Sequence, residues 1–247
     1  MPARRRGFSQ SPIVVGVDGC RAGWLAVRAD FGCGTFTVSV EPTIDAVAAG
    51  PARGAAAVMI DMPIGLSEDG ARACETMARR VLSPRRHASV FPSPARAMLD
   101  CADYAQANAL GKASPRGRGL PKQTWMIVPK IRELDAFITP SRQRRFVETH
   151  PEVAFARLNG DAPCAASKRT PEGREERVKL LRAAGVHAPE GLAASARRAV
   201  GRAGVGEDDV YDACALALSG RARLDGTAMR LTDGARDARG LVMEIWG

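Results

Sequence analysis

The sequence predicts an α/β fold built on a mixed sheet, with a chain that opens β-β-β-α-β. Three observations predict it. Two short apolar runs, 13–18 and 56–61, each end in a carboxylate, Asp18 and Asp61. Between them, 36–40 alternates with period 2, the mark of a half-buried strand. The stretch 42–50 carries Pro42 where a first helical turn would start and Gly50 just beyond its end, which reads as a short crossover helix.

The elements follow in order. After I-V-V-G-V-D (13–18), residues 19–23 supply a glycine-bounded turn and W-L-A-V (24–27) starts a second strand. The G-C-G turn at 32–34 leads into F-T-V-S-V (36–40), so the first three strands form an antiparallel meander. A-A-V-M-I-D (56–61), stopped by Pro63, reads as a buried central strand. Reached by a helical crossover, it should lie parallel to the first strand. Residues 64–140 read as an inserted, mostly helical basic cap: a helix over 67–82, an irregular stretch with three prolines over 83–94, a helix over 104–110, a mobile basic loop over 111–121 and an apolar segment over 125–138. Alternation returns at 145–150 and places Phe146, Glu148 and His150 on one face. Pro151 starts a helix, 159–171 form a loop, and two helices follow, from Thr170-Pro171 to Leu181 and near 190–200. The reading is one domain over 12–247, with 1–11 a flexible tail.

The chain's 247 residues carry a formal charge of +9, and the excess is local. Fourteen Lys and Arg face four acids between Arg79 and Arg145, which leaves the remainder near neutral. A confined basic segment suits a phosphate backbone. Arg79, Arg85, Arg86, His87, Arg96, Lys122 and Lys130 are the expected phosphate contacts, each weighed against a solvated surface. Trp125 is weighed between base stacking and core packing, the latter favoured. No apolar run is long enough to cross a membrane, and the basic start has no apolar stretch behind it, so neither a membrane partner nor a secretory signal is expected. Six scattered cysteines without metal or disulfide spacing point to a reducing, cytoplasmic setting.

The chemistry is expected from carboxylates. If the first and fourth strands are neighbours, Asp18 and Asp61 lie about 5–6 Å apart, and two anions so close require a counter-charge. In D-D-V-Y-D-A-C-A-L-A-L (208–218), Asp209 and Asp212 share a helical face. Asp208 and Asp209 can equally be N-caps. Asp212 lies a turn further into an apolar helix, where a carboxylate is costly unless paired or metal-bound. Asp18, Asp61 and Asp212, with Asp209, make an oxygen-only set suited to magnesium or manganese, as a two-ion site for attack on a phosphodiester. His150, at a strand end, is weighed as a general base against a structural role, and the structural role is favoured.

The chain resembles the predicted RNase H-like nuclease family catalogued as domain of unknown function 429. The likeness lies in G-V-D-G-C-R-A-G-W (16–24), I-D-M-P-I-G-L (60–66), S-V-F-P-S-P-A-R (89–96), P-K-I-R-E-L-D (129–135), E-T-H-P-E (148–152), D-D-V-Y-D-A (208–213) and R-G-L-V-M-E-I-W (239–246). The last helix is also similar to that of RuvC-type junction resolvases. The resemblance implies an RNase H-like core with Asp18 as the first-strand acid, Asp61 as the fourth-strand acid and Asp209 or Asp212 as the last-helix acid. Glu148 and Glu152 match family positions too. Glu148 is the expected helper if its strand neighbours that of Asp61, against an edge-strand surface carboxylate. The implied function is divalent-metal-dependent cleavage of DNA or RNA. G-V-D-G (16–19) also resembles the first phosphate loop of actin-like sugar kinases and ATPases, so phosphotransfer is one alternative. A non-catalytic nucleic-acid-binding module is another.

Overall fold

A computed structural model describes residues 12–247; the tail expected over 1–11 lies outside the described residues. β1 (Ile13–Cys20) and β2 (Gly23–Asp30) form a hairpin around Arg21-Ala22, and β3 (Thr35–Glu41) pairs antiparallel with β2. α1 (Ile44–Ala49) crosses to β4 (Ala57–Ile60), which runs parallel to β1 with Val17 opposite Ile60. β5 (Phe146–Glu148) adds parallel to β4, giving the order β3-β2-β1-β4-β5. The sheet is mixed and five-stranded, as expected, and is consistent with an RNase H-like fold. α1 starts two residues after Pro42, because Thr43 caps it by accepting the Ala46 N–H.

Period 2 sorts the sheet's residues into two cores. Val14, Met59 and Val147 face a layer made of α6 (Pro151–Leu158), α7 (Pro171–Ala183), α8 (Pro189–Val200) and α9 (Glu207–Asp225). Val15, Val17, Val58, Ile60 and Phe146 face the other way, onto α1 and the segment between β4 and β5. That segment holds α2 (Ala73–Val81), α3 (Tyr104–Ala113), α4 (Lys122–Phe137) and α5 (Pro140–Gln143).

The stretch expected as a basic cap therefore has a structural task. Val128, Ile131, Leu134 and Phe137 of α4, spaced like one helical face, bury against the sheet. Without them one face of β1 and β4 would stand in water. Within it the helix expected over 67–82 begins only at Ala73, because Asp69 folds the preceding residues into a turn by accepting the Ala71 N–H. Trp125 packs partly buried against this core and tilts toward Tyr104, as core packing required.

α9 lies directly on β1. A Cβ on Gly16 would stand 1.9 Å from the Ala213 carbonyl oxygen, and one on Gly220 2.4 Å from Val14 Cγ1. Glycine at both positions lets helix and strand backbones approach more closely than side chains allow. Near the C-terminus β6 (Arg230–Leu231) and β7 (Ile245–Trp246) pair antiparallel, and a parallel bridge from Trp246 to Thr149 ties them to the end of β5. Among the described residues no helix is long and apolar enough to cross a membrane.

Candidate functional site

Three carboxylates converge at the C-terminal edge of β1 and β4, on the face covered by α9. Asp18 lies two residues beyond Gly16 and so shares the face pressed against the helix. Asp61 is next in register, its N–H donating to the Val17 carbonyl at 2.9 Å. Asp212, one turn into α9, is 1% exposed. Burial, then Asp61 and then Asp212, push the Asp18 carboxyl well above the usual range. Burial and then Asp212 push Asp61 up to about 8. Burial also raises Asp212, against the pull of Lys168. No side-chain or backbone donor among the described residues bonds the carboxylate of Asp18 or Asp61, and Asp212 Oδ1 is buried without a partner.

The cation at this cluster is Lys168, which the sequence reading did not single out. It sits in the loop between α6 and α7. Its Nζ lies 2.5 Å from Asp212 Oδ2 and 3.7 Å from Asp208 Oδ2, and Asp212 raises its pKa above the ordinary lysine range. One signal was present: five lysines stand among thirty-six basic residues, so lysine is rare in this chain. Thr149 was missed as well. It follows Glu148, which pairs with Ile60, and so is the register partner of Asp61; its hydroxyl is buried without a partner.

Glu148 faces the other way. Paired with Ile60 and two residues after Phe146, it projects onto the opposite face of the sheet. Both its oxygens accept from Arg72, whose side chain is fully buried, and Oε2 also accepts the Ile64 N–H at 2.7 Å. Arg72 bonds Ser93 Oγ at 3.0 Å, and Ser93 in turn donates to Glu75. Glu148 thus fastens the 64–95 segment to the sheet rather than joining the three aspartates. Both glutamates of E-T-H-P-E act on the aspartates by charge, Glu148 on Asp61 and Glu152 on Asp212. Glu152 bonds Arg177 through Oε1 at 2.6 Å, while its Oε2 is buried and unpartnered. Asp209 caps α9, its Oδ2 accepting the Gly206 N–H at 2.8 Å, so its carboxylate serves the helix end.

The expected phosphate contacts divide in the same way. Arg96 is tied to Asp135 and Asp237, joining two of the quoted motifs in one partly buried network. Arg79 bonds Glu75 and the Val90 carbonyl. Lys130 donates to the Gly23 carbonyl at 2.6 Å and lies over the Trp24 ring. These three hold the fold together and are not free for phosphate. Lys122 is exposed beside the Tyr104 ring. Arg85 and His87 are exposed in the turn after α2, and Arg86 reaches across to the Ala165 carbonyl at 3.2 Å, in the loop that carries Lys168. His150 bonds the Ser89 carbonyl at 3.4 Å, and burial depresses its pKa to about 4. It is therefore neutral at neutral pH. A surface cavity lined by Leu99, Asp100, Trp125, Met126 and Arg132 among others lies on the α4 side and includes none of the three aspartates.

The donor chemistry fits a divalent cation: oxygen ligands only, crowded negative charge, and a buried orphan oxygen on Asp212. As the side chains stand, no three carboxylate, imidazole or thiolate groups among the described residues close around one point. Lys168 supplies the positive charge instead. Gly16, expected in the alternative as part of a phosphate loop, has its open side filled by the α9 backbone.

A mixed α/β sheet with carboxylates gathered at one strand edge is the class that the fold and this geometry define. The chain belongs to the family described as protein of unknown function DUF429, whose model matches residues 16–236. Neither a curated protein nor a solved structure matches the chain.

Proposed function

We propose that this protein is a divalent-metal-dependent nuclease that hydrolyses phosphodiester bonds of DNA or RNA. The observation that carries the reading is the trio Asp18, Asp61 and Asp212: Asp18 and Asp212 are buried, Asp61 is half-buried, and the three repel one another with few donors to offset it. Carboxylates are not left crowded on a buried sheet edge without a cation to balance them. Asp18, Asp61 and Asp212 would hold a magnesium or manganese ion. Such an ion supplies a Lewis acid that activates water and withdraws charge from the phosphate. With Glu148 and Asp209 committed elsewhere, we propose one tightly held ion rather than a symmetric pair.

The chain's own groups do the rest. Arg85 and His87, exposed on either side of the Arg86 that bonds the Ala165 carbonyl, would take the phosphates flanking the scissile one. The buried, unpartnered Thr149 hydroxyl, in register with Asp61, would orient a bound water. The phosphotransfer alternative loses its main support, because Gly16 serves helix packing.

The test is a panel of labelled single-stranded, duplex and junction oligonucleotides of DNA and RNA, incubated with magnesium or manganese. The expected result is cleavage of at least one substrate, stopped by chelator and by Asp18→Asn. Oligonucleotide binding without turnover would instead support a non-catalytic module. ATP turnover without nucleic acid would support a phosphotransferase. Cleavage that persists undiminished in Asp18→Asn would reject the metal mechanism.

A further inference from the structure

We propose that Lys168 is a displaceable counter-ion, holding the carboxylate cluster together until a divalent cation takes its place. The proposal rests on the reading of Asp18, Asp61 and Asp212 as a cation site. Four observations lead to it. The Lys168 ammonium contacts Asp212 and Asp208 from a loop rather than from a helix, at 2.5 and 3.7 Å. Only one oxygen of Asp212 is used, and the other is buried without a partner. Asp18 and Asp61 accept no hydrogen bond among the described residues. As the side chains stand, no three carboxylate, imidazole or thiolate groups among the described residues are arranged to hold an ion.

The loop is anchored on either side of Lys168, so its side chain can move without the backbone following. Ala165 and Ala166 donate to Glu176 at 2.8 and 3.0 Å, and Thr170 bonds the Ser167 carbonyl at 3.1 Å. The lysine side chain itself is about one-third exposed and has an open way out toward solvent. A compact ammonium on a four-carbon stem suits this task better than a planar, bidentate guanidinium, in a chain that otherwise uses arginine.

An ammonium and a divalent ion held a few ångströms apart on the same carboxylates repel each other, so occupancy by one disfavours the other. Entry of a divalent ion therefore favours release of Lys168 from Asp212. The released ammonium stays within reach of its stem, on the side where Arg86 bridges to Ala165. There it meets an incoming phosphate beside Arg85 and His87. Metal and lysine thus compete for one place, and the loser becomes a phosphate ligand.

The experiment uses the full chain and manganese alone as probe. Binding is measured by titration calorimetry, and thermal melting is followed with and without the ion. Lys168→Met removes the ammonium and keeps the stem's volume; Lys168→Gln keeps a donor for Asp212 if the first variant folds poorly. With the competing charge gone, both should bind manganese about tenfold more tightly or better than the parent. Both should also melt lower without metal and gain more from its addition, whereas Lys168→Arg should not tighten binding. If Lys168→Met and Lys168→Gln bind no more tightly than the parent, while Asp18→Asn abolishes binding, the counter-ion role is overturned and the cation site stands. If neither the parent nor the Lys168 variants bind manganese, the cation site and the counter-ion role fall together.

Discussion

Asp18 at the end of β1 and Asp61 just past β4 occupy equivalent positions on neighbouring parallel strands, and neither carboxylate accepts a hydrogen bond from any described residue. Their raised pKa values make a signed prediction about the metal-free protein. A carboxyl whose folded pKa exceeds its unfolded value binds more protons when folded, so stability falls as pH rises between the two. For Asp61 that window runs from 3.8 to about 8. Chemical denaturation of metal-free protein should show stability declining from pH 5 to pH 8, and Asp61→Asn should flatten the decline. At pH 8 the variant should melt higher, by about 2–4 °C for each kcal/mol of repulsion relieved. A slope unchanged by Asp61→Asn would show that burial and the neighbouring Asp212 do not raise the Asp61 carboxyl in the folded protein.

His150 tilts the same curve the other way. Its folded pKa of about 4 lies below the ordinary histidine value of 6.5, so it stabilises the protein above pH 6.5 and that contribution is lost as pH falls toward 4. His150→Asn should therefore raise relative stability at pH 5 against pH 8, as read by the same denaturation series. A variant that loses stability equally at both pH values would place the effect in packing instead.

Gly16→Ala should separate α9 from the sheet. The new methyl would lie 1.9 Å from the Ala213 carbonyl oxygen, with backbone on both sides and no flexible side chain to yield. Overpacking of this kind costs about 1–3 kcal/mol or more. Because α9 also carries Asp212, manganese affinity should fall along with the melting temperature. Retained affinity in a destabilised variant would show that Asp212 does not take part in binding the ion.

Glu148→Gln should behave as a structural lesion. Leaving the buried Arg72 guanidinium without its main carboxylate should cost about 3–5 kcal/mol in denaturant melts. The folded fraction should keep the parent's manganese affinity. A clear loss of affinity in folded Glu148→Gln would return Glu148 to the cation site.

The surface arginines can be told apart by salt. Arg85→Ala and His87→Ala should weaken oligonucleotide binding, with Arg85→Ala reducing the slope of log affinity against log salt by about 1, without changing the melting temperature. Arg96→Ala should instead destabilise the fold, because the buried Asp237 carboxylate loses the ion pair it makes with Arg96. An Arg96→Ala protein of normal stability that loses only nucleic-acid affinity would reverse the assignment.

Periodicity and turn chemistry carried the strand-helix order and the parallel pairing of β1 with β4 without any coordinates, because hydrophobic spacing and glycine or proline positions act locally. They also singled out Asp18, Asp61 and Asp212, since a carboxylate at the end of an apolar run or inside an apolar helix is conspicuous wherever the chain goes. Glu148 shows where local reasoning stops. It was expected beside Asp61, and β5 does neighbour β4, yet a register offset of one residue sends Glu148 to the far face and sets Thr149 next to Asp61. Nothing in the string 145–150 chooses between those registers; the packing of Phe146 into one core and Val147 into the other does. Lys168 and the basic segment teach the same lesson. Which positive charges stand free, and which are consumed by buried acids, depends on partners up to 141 residues away, as with Arg96 and Asp237. Only the closed fold brings those charges together.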